Sequence, residues 1–171
     1  MNSPDLFEQQ AQLRLQMHHA FEGVVLGDGT GLGEADVIDD YGTAEERRLA
    51  RFRDFQGPWW EHPRDRLRMY TSVFCFMDAA GYTYHLAVYL WHALQEDPQQ
   101  GLGDVGWLVF DLLDFARIQQ PQMTASQIQM ILKFTEWIEV LEPERMQHED
   151  FRAEVRRVWA HWAEQLEGLS R

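Results

Sequence analysis

Cysteine and lysine are nearly missing from this chain: Cys75 and Lys133 are the only ones in 171 residues. A lone cysteine allows no intrachain disulfide, and without cysteine pairs the seven histidines form no structural-zinc spacing. No uncharged stretch stays apolar over the roughly 20 residues that a bilayer requires, so no membrane segment is expected. Met1-Asn2-Ser3-Pro4-Asp5 lacks the basic and apolar regions of a signal peptide, from which a reducing, cytoplasmic setting is expected. Basic charge is scarce too. With 15 Lys+Arg against 28 Asp+Glu and a net charge of −13, a nucleic-acid partner is not expected, because phosphate contacts need clustered cations. What is present, 45% hydrophobic and 25% charged residues, is the composition of a globular chain. One domain over residues 1–171 is expected, with a core large enough to form without staples.

The charge is unevenly spread. Residues 1–46 hold ten acids and only Arg14, whereas residues 47–68 hold seven arginines against three acids. Residues 69–144 again hold ten acids against two bases, and the remainder balances. The basic strip around Arg47, Arg48, Arg51 and Arg53 reads as a solvated helix face paired with the acidic blocks on either side. The acidic excess itself suits a basic partner.

Helical signals dominate. Ser3 as cap, Pro4 and Asp5 open a helix carrying Leu6, Leu13, Met17 and Phe21, which Gly23 should end. A short acidic helix is expected from Glu34 to Tyr41, and Thr43 with Glu46 forms a capping box opening an Arg-rich helix to about Phe55. Gly57-Pro58-Trp59-Trp60 through Pro63 breaks the helical pattern, with the paired tryptophans pinning a loop. Tyr70 to Phe76 is rich in aromatic and β-branched residues, and Asp78-Ala79-Ala80-Gly81 has the residues of a type I turn, so a β-hairpin is predicted near residues 70–85. A buried helix follows from about His85 to Glu96. Three more are expected: one after Asp104 with Val105, Leu108, Val109, Leu112 and Phe115, one after the Thr124–Gln127 capping box, and a last between Pro143 and Gly168. The expected class is mainly α (α+β): a single helical domain of about six helices with one hairpin.

Four groups of residues bear on chemistry. Asp28-Gly29-Thr30-Gly31-Leu32-Gly33, with Asp36 and Asp39, echoes a calcium-binding loop, but Leu32 and Asp39 break the pattern at two ligand positions. The same glycines do not satisfy G-x-G-x-x-G, and no lysine follows, as a phosphate cradle would need. His85, His92 and Glu96 lie on one stripe of one helix and are candidate ligands for a divalent metal, although the two histidines are about 10 Å apart along the axis. Cys75 between Phe74 and Phe76 reads as an inert core thiol. Asp104, Trp107, Asp111 and Asp114 fall at i, i+3, i+7 and i+10, which places three carboxylates and an aromatic anchor on one helix face. Such a face suits a basic protein: the ring supplies burial and the charges steer the encounter.

Ile38-Asp39-Asp40-Tyr41-Gly42, Ala50-Arg51 with Asp54, Trp59 and Pro63, then Phe76-Met77-Asp78-Ala79-Ala80-Gly81 with Tyr82, Tyr84, Leu86 and Tyr89, and Gln127 with Phe134, resemble a bacterial family known as a domain of unknown function. The resemblance spans roughly residues 20 to 140, and its most specific part is Phe-x-Asp-x-x-Gly; the family usually carries Pro-Ala where this chain has Ala87-Val88. It implies an architecture and no mechanism. In size, acidity, tryptophan content and lack of a catalytic signature the chain also resembles the immunity proteins that bacteria encode beside secreted toxins. That likeness implies a non-enzymatic protein without cofactor that binds a basic toxin domain and occludes its active site. The expected contact residues are Asp104, Trp107, Asp111 and Asp114 together with the acidic stretch Glu34, Asp36, Asp39 and Asp40. The alternatives are a small metal-dependent or hydrolytic enzyme using His85, His92 and Glu96 or the Asp39-Asp40 pair, and a regulatory module binding a small ligand under the double-tryptophan loop.

Overall fold

The computed structural model describes residues 3–70, 73–119 and 121–169. The side chains of Ser3, Pro4, Asp5 and Phe115, on which the first cap and one apolar position were expected, lie outside the described set. Seven α-helices follow one another among the described residues: α1 (Ser3–Ala20), α2 (Leu32–Asp39), α3 (Ala44–Arg53), α4 (Ala79–Ala93), α5 (Gly103–Gln119), α6 (Ala125–Leu141) and α7 (Glu149–Leu169). No helix among them is long and apolar enough to cross a membrane.

Local sequence accounts for the starts of α3 and α6. Both capping boxes form: Thr43 Oγ1 accepts from Glu46 N–H while Glu46 Oε2 accepts from Thr43 N–H, and Thr124 and Gln127 repeat the exchange at α6. α2 is capped from a distance. The Asp54 carboxylate, just past the end of α3, accepts the N–H groups of Gly33 (2.8 Å) and Glu34 (3.0 Å). Glu34 is buried and receives a two-pronged ion pair from Arg51 at 2.7 and 2.9 Å. α3 has no fully buried residue, so these side chains hold it to α2.

The expected β-hairpin is not seen and no strand occurs among the described residues, outside which Thr71 and Ser72 of that segment lie. Val73–Phe76 is a 3-10 turn and α4 begins at Ala79, six residues before the expected helix start. Asp-x-x-Gly fits a type I turn and a helix N-terminus equally well, and here Asp78 is the N-cap. Its Oδ1 accepts Gly81 N–H at 2.7 Å and also Thr30 N–H at 3.2 Å. Helical periodicity is hidden in α4 because apolar residues surround the helix: Tyr82, Tyr84, Leu86, Val88, Tyr89 and Leu90 are all buried. Each buried phenol donates to a main-chain carbonyl, Tyr82 to Leu112, Tyr84 to Gly57 and Tyr89 to Leu67, which removes the cost of enclosing the hydroxyls. α4 therefore forms the axis of the core, against which α5, α1 and the Trp59–Glu61 turn pack.

The glycine loop is a packing device. A Cβ at Gly81 would stand 2.2 Å from the Thr30 carbonyl oxygen, and one at Gly31 would stand 2.2 Å from an Asp54 carboxylate oxygen. Loop, α3 terminus and α4 N-terminus approach closely because side chains are missing there. A carboxylate of the same chain thus fills the N-terminus of α2, the position that a phosphate would need. Trp59 is fully buried and donates its indole N–H to Phe21 O, which ties the double-tryptophan loop to the end of α1. Two boundaries bear on the site below. α7 starts at Glu149 rather than at Pro143, and the residues between include a 3-10 turn, Arg145–Gln147.

Candidate functional site

α5 buries Val105, Val109, Phe110, Leu112 and Leu113 against the core, which turns Asp104, Trp107, Asp111 and Asp114 toward the outside, as their spacing predicts. The four do not share one environment. Asp104 pairs with Arg68 at 3.1 Å, beside a polar recess that also includes Arg64 and Glu96. Asp114 pairs with Arg157 at 3.2 Å. Trp107 and Asp111 share a groove of about 500 Å³ between α5, the Arg145–Gln147 turn and the start of α7.

Aromatic rings from both helices line that groove. Trp107 lies 5.7 Å from Phe151 and 6.3 Å from Phe110, centroid to centroid, and Phe110 and Phe151 are 6.2 Å apart. The Arg145 guanidinium stands 4.2 Å over the Trp107 ring and 5.7 Å over Phe151, a cation–π contact, and it has no carboxylate partner among the described residues. Carboxylates line the groove as well: Asp111 from α5 and Asp150 and Glu154 from α7. Partial burial, then the negative charges of Glu154 and Asp114, push the Asp111 carboxyl above the usual carboxylate range. Asp111 has no cationic partner among the described residues. Sequence reasoning found Trp107 and Asp111 but missed Arg145, Phe151 and Glu154. The i, i+3 spacing of Phe151 and Glu154 on α7 was the available signal, yet nothing local shows that α7 lies across α5.

The second acidic set divides as well. Glu34 is enclosed by its pair with Arg51, whereas Asp36 and Asp40 are exposed near Asp39 at the outer end of α2. Burial, then Asp40 and Asp39, push the Asp36 carboxyl up. α2 packs on α3 and on the Val73–Phe76 turn, while α5 packs on α4 and α7, so the two acidic sets sit on separate elements.

The metal candidates are each engaged separately. His85 Nδ1–H donates to Gly81 O at 2.7 Å, His92 Nε2–H donates to His62 O at 2.9 Å, and Glu96 pairs with Arg64. No group of three or more His, Cys, Asp or Glu among the described residues is arranged to hold an ion. Burial dominates the chemistry of these histidines, holding His85 down to about 3 and His62 to about 4, so both rings are neutral at pH 7. Cys75, expected in the core, is exposed, and slight desolvation together with the negative charge of Asp39 raises the thiol. A nucleophilic thiolate needs the opposite shift.

The residues that carry the family resemblance turn out to be framework. Asp78 and Gly81 cap and seat α4, Asp54 caps α2, and Trp59, Tyr82, Tyr84 and Tyr89 fill the core. Asp39-Asp40-Tyr41-Gly42 ends α2 in a Schellman motif: Tyr41 N–H donates to Ile38 O, Gly42 N–H donates to Val37 O, and Tyr41 takes φ +57°. A model of a family of unknown function, DUF6714, matches residues 9–166. No curated protein and no solved structure matches the chain. Since the family model spans most of its length, the chain belongs to that family.

Proposed function

We propose that this member of a family of unknown function acts as an immunity-type protein, binding a basic bacterial toxin domain through the outer face of α5 and occluding the toxin's active site. The observation that carries the reading is Asp111: a carboxylate without a cationic partner among the described residues, set beside the half-buried Trp107 in an aromatic groove. Aromatic anchors flanked by uncompensated charge are what a hot spot for a basic surface needs. The net charge of −13 supplies the long-range attraction. Asp104 and Asp114, already paired with Arg68 and Arg157, form the rim and contribute mainly to encounter rate.

The test is neutralisation of the toxin encoded beside the gene. Wild-type protein is expected to block its activity at a stoichiometric ratio, and Trp107→Ala with Asp111→Lys is expected to lose the block while keeping the helical spectrum. An unchanged block by the double variant would remove this face from the account, and no block by the wild type would remove the immunity reading.

A further inference from the structure

We infer that the groove between α5 and α7 is a subsite for one arginine side chain of a basic protein partner, and that Arg145 occupies part of it as an internal placeholder. The inference rests on the reading of α5 as the partner face and names what the face grips. The chain itself shows that the rings accept a guanidinium, since that of Arg145 lies over Trp107 at 4.2 Å and near Phe151 at 5.7 Å. The Arg145 side chain gains little else there: it is exposed, sits on a three-residue turn, and makes no hydrogen bond or ion pair among the described residues, while its main-chain carbonyl accepts from His148 N–H at 2.9 Å. At an exposed site such a contact is weak, so the turn releases it at small cost. An incoming arginine gains more. It takes over the ring face and also pairs with Asp111, the carboxylate that Arg145 leaves uncompensated, with Asp150 and the Arg157-paired Glu154 also lining the groove. The planar fork of the guanidinium meets carboxylate and aromatic face together, which an ammonium does less well.

The groove volume of about 500 Å³ exceeds what one side chain fills, so the flanking residues of the partner segment also enter. His148, which also lines the groove, adds no negative charge, so once Arg145 moves aside Asp111 and Asp150, with the Arg157-paired Glu154, set the sign of the guest.

The experiment uses acetyl-arginine amide and its neutral isostere acetyl-citrulline amide, titrated into the full chain and followed at the Trp107 indole N–H in proton–nitrogen spectra, that signal being assigned with Trp107→Phe. The arginine compound is expected to shift the signal saturably, on the order of tenfold more tightly for Arg145→Ala than for wild type, and on the order of tenfold more weakly when Asp111→Asn is added. Both substitutions are at exposed positions. Equal affinity of Arg145→Ala and wild type, or equal binding of the citrulline compound, would overturn the inference. The assay contains no partner protein: its failure leaves docking on α5 to the neutralisation test, and failure of neutralisation leaves the arginine subsite to this one.

Discussion

Tyr41 is the one non-glycine residue with positive φ among the described residues, and its ring is almost fully exposed, so the backbone strain is not offset by packing of the side chain. The C′ position of a Schellman motif favours glycine because an L side chain crowds the left-handed conformation. Tyr41→Gly is therefore expected to stabilise the fold by about 0.5–1 kcal/mol, read from the urea midpoint; a loss of stability would show that the ring contributes to the folded state. The buried histidines give a second prediction with a definite sign. Folded His85 and His62 titrate near 3 and 4, below the ordinary value of 6.5, so the unfolded chain takes up protons first as the pH falls. Their stabilising neutral state is complete above pH 6.5 and is lost progressively from there toward pH 4, by up to about 1.4 kcal/mol per pH unit for each ring. Buried carboxyls such as Asp54, raised by burial, act in the opposite direction, so the histidine part is isolated by comparison. The difference in unfolding free energy between wild type and His85→Gln should shrink as the pH falls from 7.5 to 5. A difference independent of pH would mean that His85 titrates in the folded protein as it does in the unfolded chain.

At the scale of elements, α4 shows what sequence signals carry and where they stop. The Thr43 and Thr124 capping boxes were readable because donor and acceptor lie within four residues of one another. The start of α4 was not, because Asp-x-x-Gly fits a turn and a helix cap equally; Asp78 caps through Gly81 N–H and also binds Thr30 N–H, 48 residues earlier, which no local pattern shows. The same holds for the glycine loop, whose spacing follows from the approach of Asp54 and Gly81 rather than from any ion. For the candidate site, the α5 face was legible from helical spacing. Its division into paired and unpaired carboxylates was not, since Arg68 and Arg157 come from distant segments. Asp78→Ala removes a helix cap and a loop anchor together and is expected to cost about 1–2 kcal/mol, with amide exchange accelerated at Thr30 and Gly81 before the rest of α4. Uniform acceleration along the chain would contradict a local role for Asp78.

For the whole molecule, net charge and site geometry lead to one another. An acidic excess alone attracts any cation weakly, and pairs at an exposed surface contribute little. Some of the acids are paired within the chain, which leaves the net excess unchanged: Arg51 meets Glu34, Arg64 meets Glu96, and Arg157 meets Asp114. What remains unpaired next to apolar surface is the feature that distinguishes specific docking from general attraction, and the Trp107–Asp111 groove combines the two. The most direct measurement is titration calorimetry of the proposed partner, a basic toxin domain, against wild type and Asp111→Lys, at physiological salt and at about 0.5 M, where exposed ion pairs are screened. The account predicts that wild-type binding survives the higher salt and that Asp111→Lys weakens it by at least about tenfold at both. Binding that vanishes at high salt, or that Asp111→Lys leaves unchanged, would contradict it.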